Sequence, residues 1–115
     1  VYILDVLQAN EKSGLLVFDE EVINFGVVYA GVQNAVDVGF ENVGNDSIVI
    51  ESVNSNCGCT VGTLSSNVLA SGERGTLEVR FTGDSKRRGE QVRSIAVTVR
   101  DKPYPILLFV KAEVK

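Results

Sequence analysis

Short apolar runs of period two recur along the chain, separated by Gly, Asn, Asp and Ser. Successive side chains of an extended strand point to opposite faces, so such alternation predicts half-buried antiparallel strands. Residues 74–82 are the clearest case, with Leu77, Val79 and Phe81 on one face and Thr76, Glu78 and Arg80 on the other. Residues 92–100 repeat the pattern with Ile95, Val97 and Val99, and Arg93 leads that row at its rim. Residues 106–114 follow with Ile106, Leu108, Val110, Ala112 and Val114 in register. Pro103 and Pro105 stand just ahead of this last strand, where a missing N–H does least harm. In the first half, Leu15, Val17 and Phe18 predict a short strand and Val22 to Phe25 a second. Val32 to Phe40 predicts a longer one with Val36, Val38 and Phe40 inward, and Ile48, Ile50 and Val53 mark another. Between these last two, Asn42-Val43-Gly44-Asn45-Asp46 is a turn, since Gly, Asn and Asp tolerate positive φ. Residues 62–73 are small and polar and read as a long connection. Residues 83–90 read as a charged hairpin loop bounded by Gly83 and Gly89.

Neither a helical apolar stripe nor an internal repeat is present, so nothing but a second sheet can cover the apolar face of the first. Six or seven short strands at this spacing predict an all-β antiparallel sandwich, with a small closed barrel as the competing solution. Residues 1–14 fit this grammar poorly: Val1-Tyr2-Ile3-Leu4 is apolar, but Gln8 to Gly14 is polar. They read as a linker or the tail of a preceding segment, docked on the edge of a domain spanning residues 15–115.

The length of 115 residues suits one domain. The chain has no His, no Met and no Trp, and 2 Cys. Without His there is no Ser-His-Asp or Cys-His nucleophile and no imidazole zinc ligand, so enzymes of those classes are excluded. Position 1 is Val, which points to a processed protein or a piece of a longer polypeptide. A net charge of −4 argues against a nucleic-acid partner. The charge is unevenly spread: residues 1–60 carry one base, Lys12, and nine acids, whereas residues 61–115 carry ten bases and six acids. In a fold that interleaves its halves this split sets acidic strands beside basic ones; the alternative is a binding patch. No apolar run approaches the ~18 residues of a membrane-spanning helix.

The most unusual local feature is Asn56-Cys57-Gly58-Cys59-Thr60. On an extended strand, positions 57 and 59 face the same way, which makes the two sulfurs neighbours. They can form a disulfide if Gly58 bends the chain. They can bind Cu(I) as two thiolates, or cycle as a redox pair, although Cys-x-Cys is not the thioredoxin spacing. They can also be two small apolar side chains filling a strand face. No base or cation in this stretch would activate a thiol. Lys86-Arg87-Arg88 is the one basic cluster, either a solvated loop tip or a contact for an acidic partner. Asp19-Glu20-Glu21 lacks the alternating oxygen pattern of a calcium loop and reads as a solvated turn. Asn45-Asp46-Ser47 matches the short glycosylation sequon. No cofactor and no metal site is expected.

These residues together resemble a bacterial domain-of-unknown-function family known by its Cys-Gly-Cys-Thr signature. That family is similar to Hydin-type and major-sperm-protein-like immunoglobulin domains. Asn24-Phe25-Gly26 with Gly31 resembles its Asp-Phe-Gly opening, and Val38-Gly39-Phe40-Glu41-Asn42-Val43-Gly44 its alternating strand ending in Asn-x-Gly. Cys57-Gly58-Cys59-Thr60 carries the signature, and Gly72-Glu73 with Leu77, Val79 and Phe81 resembles the turn and strand after it. Asn24, Asn56, Ser71 and Ala112 depart from the family's usual Asp, Ser, Pro and Gly. The resemblance implies an immunoglobulin-like β-sandwich, exported or attached to the cell envelope and built as a module of a longer chain. It implies no known activity. The expected function is therefore a non-enzymatic interaction or scaffold module with a protein partner, the alternative being a thiol site at Cys57 and Cys59.

Overall fold

The computed structural model describes residues 16–115, and the expected linker over residues 1–14 lies outside them. Nine strands follow in chain order: β1 (Leu16–Phe18), β2 (Val22–Val28), β3 (Gln33–Asn42), β4 (Ile48–Ser55), β5 (Thr60–Leu64), β6 (Val68–Leu69), β7 (Arg74–Thr82), β8 (Gly89–Val99) and β9 (Ile106–Val114). They form a four-stranded sheet in the order β1-β3-β7-β5 and a five-stranded sheet in the order β2-β9-β8-β4-β6. Pairing is antiparallel except between β2 and β9, which run parallel. Two sheets with separate edges replace the closed barrel considered above.

The alternation read from the sequence becomes the core. Phe40, Phe81, Leu77, Val79, Ile95, Val97, Ile106, Leu108 and Val110 are all buried between the sheets. Each inward Val, Leu, Ile or Phe contributes about 1.5–3 kcal/mol on burial. Tilted ring pairs of Phe18 with Phe40 and Phe25 with Phe81 tie edge strands to this interior, with centroids 5.1 and 5.8 Å apart. Phe40 faces Gly75 across the β3–β7 pair, and its ring occupies the space where a Cβ at position 75 would stand.

Two expectations change. Residues 62–73 are not a long connection, because β5 and β6 fall largely within them. The inward row of β5 is Thr60, Gly62 and Leu64, too small and polar to register as an apolar alternation. Gly62 is small for cause, since a Cβ there would meet Val53 and Leu77. Residues 83–88 are not a hairpin either: β7 belongs to the four-stranded sheet and β8 to the five-stranded one. That loop crosses between the layers. The register of β2 shifts between Asn24 and Gly26, where Gly26 has φ of 69° and donates its N–H to Asn24 Oδ1 at 2.8 Å. This positive-φ bulge accounts for the glycine two residues after Asn24.

Part of the charge asymmetry is closed within the fold. Arg74 Nη2 lies 2.6 Å from Asp19 Oδ2 and its Nη1 lies 3.2 Å from Glu41, while Arg100 lies 3.9 Å from Glu51. Each of these pairs joins an acid of the first half to a base of the second. The hydrogen bond to Asp19, followed by the one to Glu41, raises the pKa of the Arg74 guanidinium above its ordinary value. Asp19 thus serves an ion pair in the β1–β2 turn.

Candidate functional site

The two residue groups singled out in the sequence meet at one end of the sandwich. Strand β4 ends where Asn56 closes its ladder onto β8: the Asn56 N–H donates to Ser94 O, and Ser94 N–H donates to Asn56 Oδ1, both at 3.1 Å. The chain then turns through Cys57-Gly58-Cys59 and enters β5 in the opposite sheet. Ser55 Oγ accepts the Cys57 N–H at 3.2 Å, and Cys57 O accepts the Thr60 N–H at 3.1 Å. Cys59 O receives the Thr82 N–H at 2.9 Å, which fixes the turn to the end of β7. The cysteines therefore lie in a turn that switches sheets, and not on the strand face expected from their spacing.

Cys57 and Cys59 are joined by a disulfide, with their Cα atoms 5.2 Å apart. Thiolates that could hold Cu(I) exist only after this bond is reduced. Both cysteines are half-buried and Gly58 between them is exposed. Cys59 packs against the core, and Cys57 is not among the residues of that cluster. The Cys59 N–H donates to Cys57 Sγ at 3.2 Å. Thr60 Oγ1 lies 3.8 Å from Cys59 Sγ, and since a bridged sulfur has no proton, the hydroxyl is the donor. Closing so short a loop restricts the unfolded chain little, contributing about 1–2 kcal/mol in the chain-entropy treatment.

An open cleft of about 480 Å³ runs beside the bridge, lined by Cys57, Gly58, Cys59, the segment Thr82–Ser85 and Arg93. Arg93 is the cation that no local reading of the cysteine stretch could supply. It stands within β8, two residues before Ile95, which pairs with Ser55 at the end of β4. The Arg93 guanidinium donates to Val92 O at 2.9 Å and to Gln91 Oε1 at 3.4 Å. Asp84 shares the cleft, and one of its carboxylate oxygens accepts the Lys86 N–H at 2.8 Å.

Lys86, Arg87 and Arg88 occupy the β7–β8 loop next to this cleft, all three exposed. Arg88 donates to Ser85 O at 3.3 Å, and the Arg87 N–H to Asp84 O at 3.3 Å. None of the three makes an ion pair among the described residues, and neither does Arg93. Arg87, Arg88 and Arg93 also border a second cleft of about 400 Å³ with Glu90, Gln91 and Val92. Among the described residues, no three His, Cys, Asp or Glu side chains converge on a metal-sized space.

The profile of the family described as "Protein of unknown function (DUF1573)" matches residues 16–114. The chain belongs to the DUF1573 family. This DUF1573 domain superposes with a TM-score of 0.75 on a protein of unknown function from Porphyromonas gingivalis W83, at 16% identity, covering 87% of this chain and 46% of that one. The ASH / PapD-like domain 7 of human CEP192 gives 0.67 at 12% identity, covering 90% and 87% of the two chains. WR4, a C. elegans member of the MSP family, gives 0.54 at 9% identity, covering 89% and 99%. At these identities the likeness is one of fold: the DUF1573 domain is an immunoglobulin-like β-sandwich of the PapD-like and MSP kind. It spans about half the length of the P. gingivalis chain. No curated protein matches it by sequence.

Proposed function

We propose that this domain is a non-enzymatic interaction module of the bacterial cell envelope, engaging an acidic surface of a protein partner through Lys86, Arg87 and Arg88. One observation carries the reading. Arg74 and Arg100 pair with acids of the first half, yet these three consecutive cations project from one end of the sandwich with no carboxylate partner among the described residues. Long cationic side chains held on a loop of a rigid β scaffold suit partner recognition, and they would set encounter rate and orientation more than affinity. The disulfide supports a location outside the reducing cytoplasm. The fold match to part of a longer chain supports use as a module.

The test is a photo-crosslinking side chain placed at position 87 in the full-length protein in its native cells, with position 104 at the opposite end as control. A protein adduct is expected from position 87 and not from position 104. The adduct should be lost on joint reversal of Lys86→Glu and Arg88→Glu. An adduct of equal yield from position 104, or one indifferent to charge reversal, refutes the reading. Recovery of the protein from the cytoplasmic fraction refutes the envelope assignment.

A further inference from the structure

We infer that the Cys57–Cys59 disulfide is an exchange site, which opens to a dithiol by reaction with an external thiol. This goes beyond the docking role of the basic loop and does not depend on it. Four observations converge. The bridge lies in a turn at the end of the sandwich, with both cysteines half-buried, Gly58 exposed and nothing within 4 Å of where its Cβ would be, so the turn is uncovered on that side. The cleft of about 480 Å³ beside it gives an incoming sulfur a place to sit. Each cysteine sulfur already faces a hydrogen-bond donor, the Cys59 N–H at 3.2 Å from Cys57 Sγ and the Thr60 hydroxyl at 3.8 Å from Cys59 Sγ. Arg93 lines the same cleft, and Asp84, the carboxylate that shares it, is engaged by the Lys86 N–H. Donors and a cation favour the thiolate over the thiol, and thiolates are the attacking and leaving groups of exchange.

The two sulfurs differ in a way that assigns their order. Cys57 stands clear of the core cluster and Cys59 packs against it. An external thiolate attacks Cys57 Sγ. The Cys57–Cys59 bond breaks, a mixed disulfide forms at Cys57, and Cys59 leaves with the electron pair as a thiolate that accepts the Thr60 hydroxyl proton in a hydrogen bond. A second external thiolate then attacks the external sulfur of the mixed disulfide and releases Cys57 as a thiolate held by the Cys59 N–H. In sum two external thiols are oxidised to one disulfide, Cys57 and Cys59 are reduced to two thiols, and two electrons and two protons pass to the domain. The reverse sequence oxidises the dithiol at the expense of an external disulfide.

The experiment measures reduction of the folded protein by dithiothreitol without denaturant, read by alkylation and mass, with circular dichroism reporting the fold. The bridge should open while the β signal persists, at a rate no lower than that of the five-residue peptide Asn-Cys-Gly-Cys-Thr carrying the same bridge. A slower rate in the folded protein overturns the inference. In Cys59→Ser, oxidised glutathione should form a mixed disulfide at Cys57, and the pH midpoint of Cys57 alkylation should lie below the ordinary thiol value of about 8.5. Arg93→Gln in that background should raise the midpoint and slow glutathionylation several-fold. A midpoint at or above the ordinary value overturns it as well. Should Cys59→Ser fail to fold, the reduction rate of the native protein decides the matter alone.

Discussion

Asn42 is fully buried at the end of β3, yet each of its polar groups is used. Its Nδ2 donates to Asp46 O at 2.8 Å and to Leu69 O at 3.1 Å, and its Oδ1 accepts the Gly44 N–H at 2.9 Å. Its main chain bonds Glu73 and Gly72. The side chain therefore ties the β3–β4 turn to β6, while the main chain of the same residue holds the segment just ahead of β7. Replacing it leaves three backbone groups short of a partner, at about 1–3 kcal/mol for each that stays dry. Asn42→Ala should accordingly lower the free energy of unfolding by about 2–4 kcal/mol in urea titrations. A loss below about 0.5 kcal/mol would show that water replaces the amide freely. Arg74, by contrast, holds two carboxylates on an exposed face, where solvent and salt screen such pairs and leave them little weight in stability. The sequence marks Asn42 as a turn residue and no more. Its burial depends on Leu69, which lies 27 positions away in sequence.

At the scale of elements, legibility follows the inward row of each strand. β3, β7, β8 and β9 carry Val, Leu, Ile and Phe on that row and were plain from period two alone. β5 was hidden because its row is Thr60, Gly62 and Leu64, and β6 because two residues cannot show a period. Partner choice was hidden too: whether the 83–88 loop closes a hairpin or crosses between sheets is decided by what β3 and β9 offer, not by the loop itself. The candidate site shows the same limit. Its cysteines were legible, but the Arg93 beside them arrives through the pairing of β4 with β8. One cross-strand pair tests how tightly such facing rows are matched. The Phe40 ring fills the space over Gly75, so Gly75→Ala must push a buried ring aside and should cost about 1–3 kcal/mol. Phe40→Leu removes the obstructing ring atoms at its own cavity cost. The double variant should then be more stable than the sum of the two losses by at least about 0.5 kcal/mol, the signature of direct contact in a double-mutant cycle. Strict additivity in denaturant melts would mean that the ring and the new methyl avoid one another at no cost.

The molecule as a whole is closed by its last strand. β9 lies between β2 and β8, and it supplies Ile106, Leu108, Val110, Ala112 and Val114 to the core. It also makes the parallel pairing that joins Val22–Val28 to Phe109–Val114, across nearly the full described length. Such long-range pairing places folding in the slow range for small domains, roughly milliseconds to seconds, since the loop must close before the contacts form. It also makes the fold hard to divide. Without residues 106–115, β8 loses one of its two neighbours and β2 loses the strand that holds it, so five apolar side chains leave the interior together. A chain ending at Pro105 should therefore show no cooperative unfolding transition in urea and no β signal by circular dichroism. A synthetic peptide of residues 106–115 supplied in trans should restore both, because the vacated channel presents two strand edges and an apolar floor whose alternation only the native register satisfies. A peptide of the same composition in scrambled order should restore neither, as it would set charged side chains against the core. If the truncated chain unfolds cooperatively by itself, the interior is sealed by the remaining eight strands, and β9 is a late addition to a fold that already exists.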